Sequence, residues 1–457
     1  MNYRDDFKFQ AIPLPDDILA EKMAGHYDYA RQLIAHRIKD ELTPECIKKR
    51  CELELKIMEH MEDEYIYTRE EAIAQVRERI PEFTEEEFDE LLMNGRIDFA
   101  YIRGQKLFLD SFCSALFKVY PSMWNRTKEG DRGDYTMEDS IINAVKDGEE
   151  FTSHIHICHH ITLHPEEDVL GQTAKVHIPM PSESNPRVHN LKYDGGEDLK
   201  AVAPDDAGMH TVYFEGVAED GKEFKIDYEY DYIDTFRDMY NMDPALCTGE
   251  FPEEIKKEYL AEQLPHIQFS PFIRELAKEI VGDETNPLLK ARKIYNFITQ
   301  DCRYRFTRNY SSIQNVPEWF LINQQGDCGT QALAFITLCR CVGVPAKWES
   351  GTTACPDDIG MHDWAMFYIE GFGWRHADPS YGGGANTRRA EKRRQFYFGN
   401  IDSYRNPCNR MMGVEFEPAK KYWHYDDCDS QAGEVEFETR ASHRNEYRVK
   451  YEDKGIK

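Results

Sequence analysis

The spacing of apolar residues changes period twice along this chain, and that change limits the folds open to it. From about residue 15 to 125 apolar positions recur at three- and four-residue intervals beneath many charges, as in 17–38 and 46–64, which predicts helices. Between about 150 and 235 the period drops to two. The runs 154–163, 174–178, 211–214 and 224–232 alternate and are separated by Pro, Gly and Asp clusters, the pattern of a β-sandwich-like segment. Helical spacing returns over 245–300, notably 271–281 and 287–298. At 457 residues the chain is too long for one average domain. We expect an α-rich N-terminal domain (1–127), a β-sandwich-like domain (128–240), a mixed core (241–390) and a C-terminal accessory segment packing on the core (391–457), in all an α+β protein. The Gly-rich, charged stretch Lys128-Glu129-Gly130-Asp131-Arg132-Gly133-Asp134 marks the first boundary.

Local signals sharpen the N-terminal part. Thr68-Arg69-Glu70-Glu71 and Thr84-Glu85-Glu86-Glu87 have capping-box spacing, so a short helix opens at each. The stretch 98–109 around Arg103-Gly104-Gln105 reads as a hairpin. Helix, helix and hairpin in this order resemble a winged-helix layout, which can bind DNA. Charge argues against that use: 56 Lys and Arg against 84 Asp and Glu leave a formal net charge of −28, which repels phosphate backbones. Nucleic acid is excluded as a partner on these grounds, and docking on an anionic membrane is disfavoured.

The N-terminus has no basic start followed by an apolar run, and no stretch approaches about 18 uninterrupted apolar residues. The expected location is cytoplasmic. Twelve cysteines occur without a CxxC pair, so most are expected as reduced core residues.

One cysteine stands apart. Asn323-Gln324-Gln325-Gly326-Asp327-Cys328-Gly329 is polar and precedes a helical repeat through Ala332, Phe335, Ile336, Cys339 and Val342, ended by Gly343 and Pro345. Asp327 is the expected N-cap, which places Cys328 in the first turn, where the positive end of the helix dipole favours a thiolate. Downstream, the strand-like 362–369 begins at His362, Gly371-Phe372-Gly373 turns the chain, and the return strand ends at Asp378-Pro379. A two-residue turn would put His362 and Asp378 on opposite faces, so their pairing requires an odd-length turn or a bulge. Asp378 would then fix the imidazole tautomer, while the other ring nitrogen would serve Cys328. The backbone N–H of Cys328 and a side-chain donor, for which Gln324 is the candidate, would stabilise the oxyanion formed on attack at an amide or ester carbonyl. Trp364 and Trp374 are candidates to border the cleft, although as strand residues they are expected to be core on at least one face.

These motifs resemble the transglutaminase-like superfamily, in which a Gly-x-Cys helix start, a His-x-Trp strand and an Asp-Pro strand end follow in that order. Gly326-Asp327-Cys328, His362-Asp363-Trp364 and Asp378-Pro379 match all three, and Cys341-Val342-Gly343-Val344-Pro345-Ala346 and Gly371-Phe372-Gly373-Trp374 match the linking segments. The resemblance covers about 265–385, and more loosely 155–235. It implies a papain-like transglutaminase core with a Cys–His–Asp triad on Cys328, His362 and Asp378. It also aligns Tyr304, in Cys302-Arg303-Tyr304-Arg305, with a tyrosine that lines such sites. The bacterial, cysteine-protease branch is the nearer match, since no acidic loop has calcium-ligand spacing.

Two other clusters invite function. His154, His156, Cys158 and His160 share one face of a strand and are chemically fit for zinc, but no second ligand cluster has recognisable spacing, so no metal or other cofactor is expected. The basic run 388–394 could grip a substrate carboxylate, or lie on a solvated helix face. The leading expectation is a thiol hydrolase, a peptidase or amidase, acting on a peptide or amide-containing substrate. An acyltransferase to an amine and a non-catalytic binding scaffold are the alternatives.

Overall fold

Apolar packing gathers the first three helices of the N-terminal third, and capping boxes open the next two. Helices α1 (Asp16–Met23), α2 (Tyr27–Lys39) and α3 (Glu45–Glu64) pack around Ile18, Tyr27, Ile34, Cys51 and Met58. A short strand β1 (Tyr65–Tyr67) follows. Thr68 and Thr84 then close reciprocal capping boxes with Glu71 and Glu87, opening α4 (Arg69–Arg77) and α5 (Glu85–Met93) where the sequence placed them. The hairpin β2 (Phe99–Ile102) and β3 (Gln105–Leu109) turns on Arg103 and Gly104, both at positive φ (50° and 74°), as a tight primed turn requires. Strand β3 lies between β1 and β2, and α6 (Phe112–Val119) covers a second small core around Phe83, Phe88, Phe108 and Phe112.

This computed structural model describes residues 6–457 apart from 129–134, 248, 357 and 427. The Gly-rich boundary read over 128–134 therefore lies almost wholly outside the described residues, as does the start of the N-terminal segment. After α7 (Thr136–Ala144) come β4 (Glu150–Leu163), β5 (Thr173–Pro179), β6 (Val188–Asp194), β7 (Leu199–Val202), β8 (Thr211–Val217) and β9 (Glu223–Thr235). They form two antiparallel sheets, β4-β9-β6 and β5-β8-β7, whose inward residues, among them Ile155, Ile157, Val176, Phe214 and Tyr228, join one core. On the outer face of β4, His154 and His156 pair with Asp231 and Asp227 at 2.9 and 2.8 Å, and His160 with Glu223 at 3.0 Å. The zinc-like face is thus an alternating ladder of histidines and carboxylates across two strands.

The core segment begins with α8 (Pro271–Val281) and α9 (Pro287–Asp301), capped by Ser270 and Asn286. Strand β10 (Arg303–Tyr304) pairs in parallel with β11 (Gln325–Gly326), which α10 (Val316–Asn323) precedes. Helix α11 (Cys328–Cys341) is almost wholly buried against β12 (Ala346–Thr353) and β13 (Met361–Ile369). Strand β14 (Gly373–Ala377) returns, followed by α12 (Pro379–Thr387), α13 (Glu391–Phe396) and β15 (Phe398–Gly399).

Residues 391–457, expected as an accessory segment packing on the core, supply strands to three sheets. Strand β16 (Arg405–Asn409) completes the core sheet in the order β15-β14-β13-β12-β16. Strands β17 (Glu434–Glu436) and β18 (Tyr447–Asp453) pair with β5 and β4 and so complete the two middle sheets. The basic run is divided: Arg389 and Lys392 are exposed and Arg388 is half-buried, while its last two arginines are enclosed. Arg393 and Arg394 are buried, the first paired with Asp139 at 2.7 Å and the second with Glu391, Asn296 and the Tyr240 hydroxyl. Their long apolar stems make burial tolerable once every charged tip has a partner.

Candidate active site

Cys328 owes its position to a helix start that sequence chemistry specifies. Asp327 accepts the Thr330 N–H at 3.2 Å as the N-cap, and its other contact, the Tyr310 hydroxyl at 2.6 Å, fixes the carboxylate. The flanking glycines are steric necessities. A Cβ at Gly326 would lie 2.1 Å from Thr330 Oγ1, and one at Gly329 would lie 2.3 Å from Tyr310 Oη and 2.7 Å from Asp363 Oδ2. The Gly-x-Cys-Gly pattern therefore lets the helix tip sit directly against its neighbours.

His362 and Asp378 are brought together by register. Ile369 pairs with Gly373, which leaves a three-residue turn at 370–372, and Ala365 pairs with Ala377. Counting back along the pair sets position 378 opposite Trp364, on the same face as His362, so the odd-length turn that the pairing requires is present. His362 Nε2 meets Asp378 Oδ2 at 2.8 Å, and Asp378 Oδ1 accepts the Tyr381 N–H at 2.9 Å as the cap of α12. This commits Nε2 to the carboxylate and leaves Nδ1 on the cleft side.

Below the pair lies Arg405, fully buried, 3.4 Å from Asp378 Oδ2 and 2.6 Å from Asp402 Oδ2, boxed by the rings of Tyr381, Trp364 and Tyr397. Burial alone would lift the Asp378 carboxyl, but His362 and Arg405 hold it below the ordinary carboxylate value. Burial pulls His362 below the usual imidazole value against the opposing pull of Asp378.

Among the described residues no hydrogen bond joins Cys328 to His362. The thiol meets the next residue along the strand, with Sγ 3.3 Å from Asp363 Oδ2, and burial, then the neighbouring Cys328 thiol, push the Tyr304 hydroxyl well above its ordinary value. Burial, then the Asp363 and Asp327 carboxylates, push the Cys328 thiol well above its ordinary value. The helix N-terminus, expected to favour a thiolate, is outweighed at rest. Asp363 is itself raised by burial and shares a buried cluster with Asp429, also raised, while Gln431 bridges the Asp363 carboxyl and the His362 carbonyl.

The remaining sequence candidates separate. Tyr304 lies at the thiol and also lines the adjoining cleft, as anticipated. Gln324 does not point to the site: it ends α10 in a left-handed conformation (φ 52°), with an exposed side chain. Trp364 is fully buried rather than at the cleft edge, its indole N–H given to Glu349 at 2.7 Å and its ring centroid 5.9 Å from that of His362. Sequence reasoning missed Asp363, Asp429, Gln431 and Arg405. Asp363 occupies the variable place of the His-x-Trp motif, and the other three reach the site only through long-range folding.

A cleft of about 930 Å³ opens beside His362, between the N-terminal helices and the core, with Tyr304, Gln331, Cys355 and Tyr381 in its walls. The N-terminal unit is fastened at its rim. Arg305 donates to the Gly95 carbonyl at 2.7 Å and pairs with Asp98 at 3.4 Å, and the Asn309 N–H binds Glu64 at 3.1 Å.

Residues 274–379 match the family model of the transglutaminase-like superfamily. A curated relative, an uncharacterised protein of Haemophilus influenzae, is 27% identical over 160 residues, which is 30% of this chain and 42% of that protein. The chain thus matches less than half the length of that relative. A proposed cysteine protease from Cytophaga hutchinsonii superposes with a TM-score of 0.42 at 15% identity, covering 67% of this chain and 93% of that one. The periplasmic domain of TgpA from Pseudomonas aeruginosa gives 0.27 at 12% identity, covering 56% and 95%. Red sea bream transglutaminase gives 0.22 at 13% identity, covering 51% and 48%.

Proposed function

Because residues 274–379 form a transglutaminase-like core, we propose that the chain is a cysteine-dependent hydrolase of amide bonds, a peptidase or amidase in which Cys328, His362 and Asp378 are the catalytic triad. The observation that carries it is the 2.8 Å contact of His362 Nε2 with Asp378, which leaves Nδ1 on the cleft side, one residue along the strand from the contact that holds the Cys328 thiol. In substrate-free enzymes such catalytic contacts are often long and tighten when substrate binds.

At rest the thiol and the imidazole are both neutral. The Cys328 proton passes to His362 Nδ1 as Sγ attacks the carbonyl carbon, and Asp378 stabilises the imidazolium that forms. The oxyanion is met by the Cys328 backbone N–H in the first helical turn and by the Tyr304 hydroxyl in place of Gln324. Collapse expels the amine, which takes the proton from Nδ1, and leaves a thioester on Sγ. Water, deprotonated by Nδ1, then releases the carboxylic acid and restores the thiol.

In the same proposal the N-terminal helices (1–127) wall the cleft and the two middle sheets form a β-sandwich-like domain around 128–240 that buttresses the core sheet. The core spans about 241–390 and the last residues close its sheets. The cytoplasmic location expected from the sequence is carried forward with it; no helix among the described residues is long and apolar enough to cross a membrane.

The test is the rate of iodoacetamide alkylation at Cys328 against pH, by peptide mass mapping, in the native chain and in His362→Ala, alongside turnover of a peptide library with and without a primary amine. A pH-dependent rate that falls in the variant, with cleavage that also fails in Cys328→Ala, supports the hydrolase. An amide adduct in place of acid assigns acyl transfer to amines. Alkylation indifferent to His362 and no turnover would leave a binding scaffold.

A further inference from the structure

The cleft beside His362 is charged against the trend of the molecule. The chain carries 84 acidic against 56 basic residues, yet among the described residues the cleft is lined by five basic ones, Arg79, Arg96, Lys118, Arg303 and Arg388, and two acidic ones, Glu138 and Asp358. Of these two, Glu138 is buried, and burial raises its carboxyl to about 7, so it carries only part of a charge near neutrality. A walled cleft of one sign concentrates its field and draws in the opposite charge even when the whole molecule repels it.

Three of the five cations have no carboxylate partner among the described residues. Several other arginines are paired with carboxylates, among them Arg69 with Glu85 and Asp89, Arg126 with Glu87, and Arg393 with Asp139. By contrast, Arg96 lays its guanidinium 4.2 Å from the centroid of Tyr120, its Nε buried without a hydrogen-bond partner, and Lys118 Nζ stands 6.0 Å from the ring of Phe306. Arg303 is exposed, and its backbone rather than its side chain is tied, through the Gln324 carbonyl at 2.9 Å. Aromatic faces hold two of these cations in place without neutralising them.

Their position ties them to the chemistry. Arg303 immediately precedes Tyr304, which the Cys328 thiol perturbs, and both line the same cleft as His362. Arg96 follows α5 and Lys118 lies on α6, so the wall continues across the N-terminal unit. The volume is at the upper end of the range for small-molecule sites and accommodates a short extended segment.

We infer that the cleft takes an acidic peptide, whose aspartate or glutamate side chains lie against Arg96, Lys118 and Arg303 while a neighbouring amide bond reaches Cys328. The inference rests on the hydrolase proposal for the identity of the reacting bond, and its test separates the two. Calorimetric titration of the full-length Cys328→Ala chain with a glutamate-rich decapeptide and its glutamine isostere measures binding apart from turnover. The expected result is at least tenfold tighter binding of the glutamate peptide, a preference that shrinks as salt rises and is reduced several-fold in Arg303→Gln. That variant alters an exposed side chain and is checked for folding by circular dichroism; Arg96→Gln with Lys118→Gln then removes the rest. Equal affinity for the two peptides, no binding of either, or a preference untouched by all three substitutions overturns the inference. Charge-selective binding by peptides that the native chain cannot cleave overturns the hydrolase reading instead. Cleavage of both peptides with equal efficiency refutes the acidic specificity and leaves the hydrolase in place.

Discussion

Asp363→Asn is expected to activate the Cys328 thiol, the reverse of what loss of an active-site carboxylate usually does. With Sγ 3.3 Å from Oδ2, a full negative charge on Asp363 would oppose thiolate formation by about 5 kcal/mol at an effective dielectric of about 20, equivalent to about 3.7 pK units. That is a ceiling, because Asp363 is itself raised by burial and shares its surroundings with Asp429, so part of its charge is already neutralised. A fall of roughly one to two pK units in the thiol is the working expectation, or about 10- to 100-fold faster alkylation at a pH below the thiol pKa. Asparagine keeps a carbonyl for Gln431 and adds nothing to the space that Gly329 leaves, so folding is preserved. The assay is the second-order rate of iodoacetamide modification at Cys328 between pH 6 and 9, resolved by peptide mass. An unchanged or slower rate in the folded variant would refute the reasoning and mark Asp363 as a base that assists the thiol.

Replacing Arg405 with Met leaves Asp378 and Asp402 buried without their shared cation, and should cost about 3–5 kcal/mol in urea unfolding. A loss under about 1 kcal/mol would mean that the ring box, rather than the ion pairs, holds that strand. Four buried histidines lie below the ordinary imidazole value chiefly through burial: His60 at about 4, and His159, His177 and His266 at about 3. The unfolded chain protonates them near 6.5, so their contribution is complete above that pH. It is lost as pH falls toward the folded values, by up to about 1.4 kcal/mol per pH unit for each group. Urea midpoints should therefore drop steeply from pH 6.5 to 4.5, and His177→Phe should flatten the slope; a midpoint constant over that range would contradict it.

Local chemistry was legible in the sequence and long-range chemistry was not. Asp327 as N-cap, the capping boxes at Thr68 and Thr84 and the positive-φ turn at Arg103-Gly104 all depend on neighbours within four residues, whereas Gly329 is required by Tyr310 and Asp363 from far along the chain. The pairing of His362 with Asp378 stayed conditional on the length of the turn, which the sequence leaves open and the register of the two strands supplies. Gln324 misled because nearness in sequence to the nucleophile says nothing about direction once a residue ends a helix in a left-handed conformation. Trp364 and the basic run 388–394 misled through composition: a Trp in a catalytic motif suggests a cleft wall, and a row of arginines suggests solvent. Here Glu349 takes the indole N–H and Asp139 one guanidinium group, partners that no spacing rule announces, while Glu391 takes the other at the helical i,i+3 spacing. Asp363 was hidden by its own motif, since it lies between His362 and Trp364, the two residues the pattern names.

The strands contributed by the last fifth of the chain set an order of assembly. The core sheet lacks its β16 edge, and the two middle sheets lack β17 and β18, until residues 405–453 have been made. Gln431, which steadies the backbone and side chain of the strand bearing His362, arrives in the same interval. On the ribosome the helix bearing Cys328 is therefore complete well before the surroundings that steady His362, and long-range pairings of this kind are the slow steps of folding. A nascent chain released early would hold the thiol without the geometry to use it, so competence arrives late and all at once, when the final strand pairs with β4.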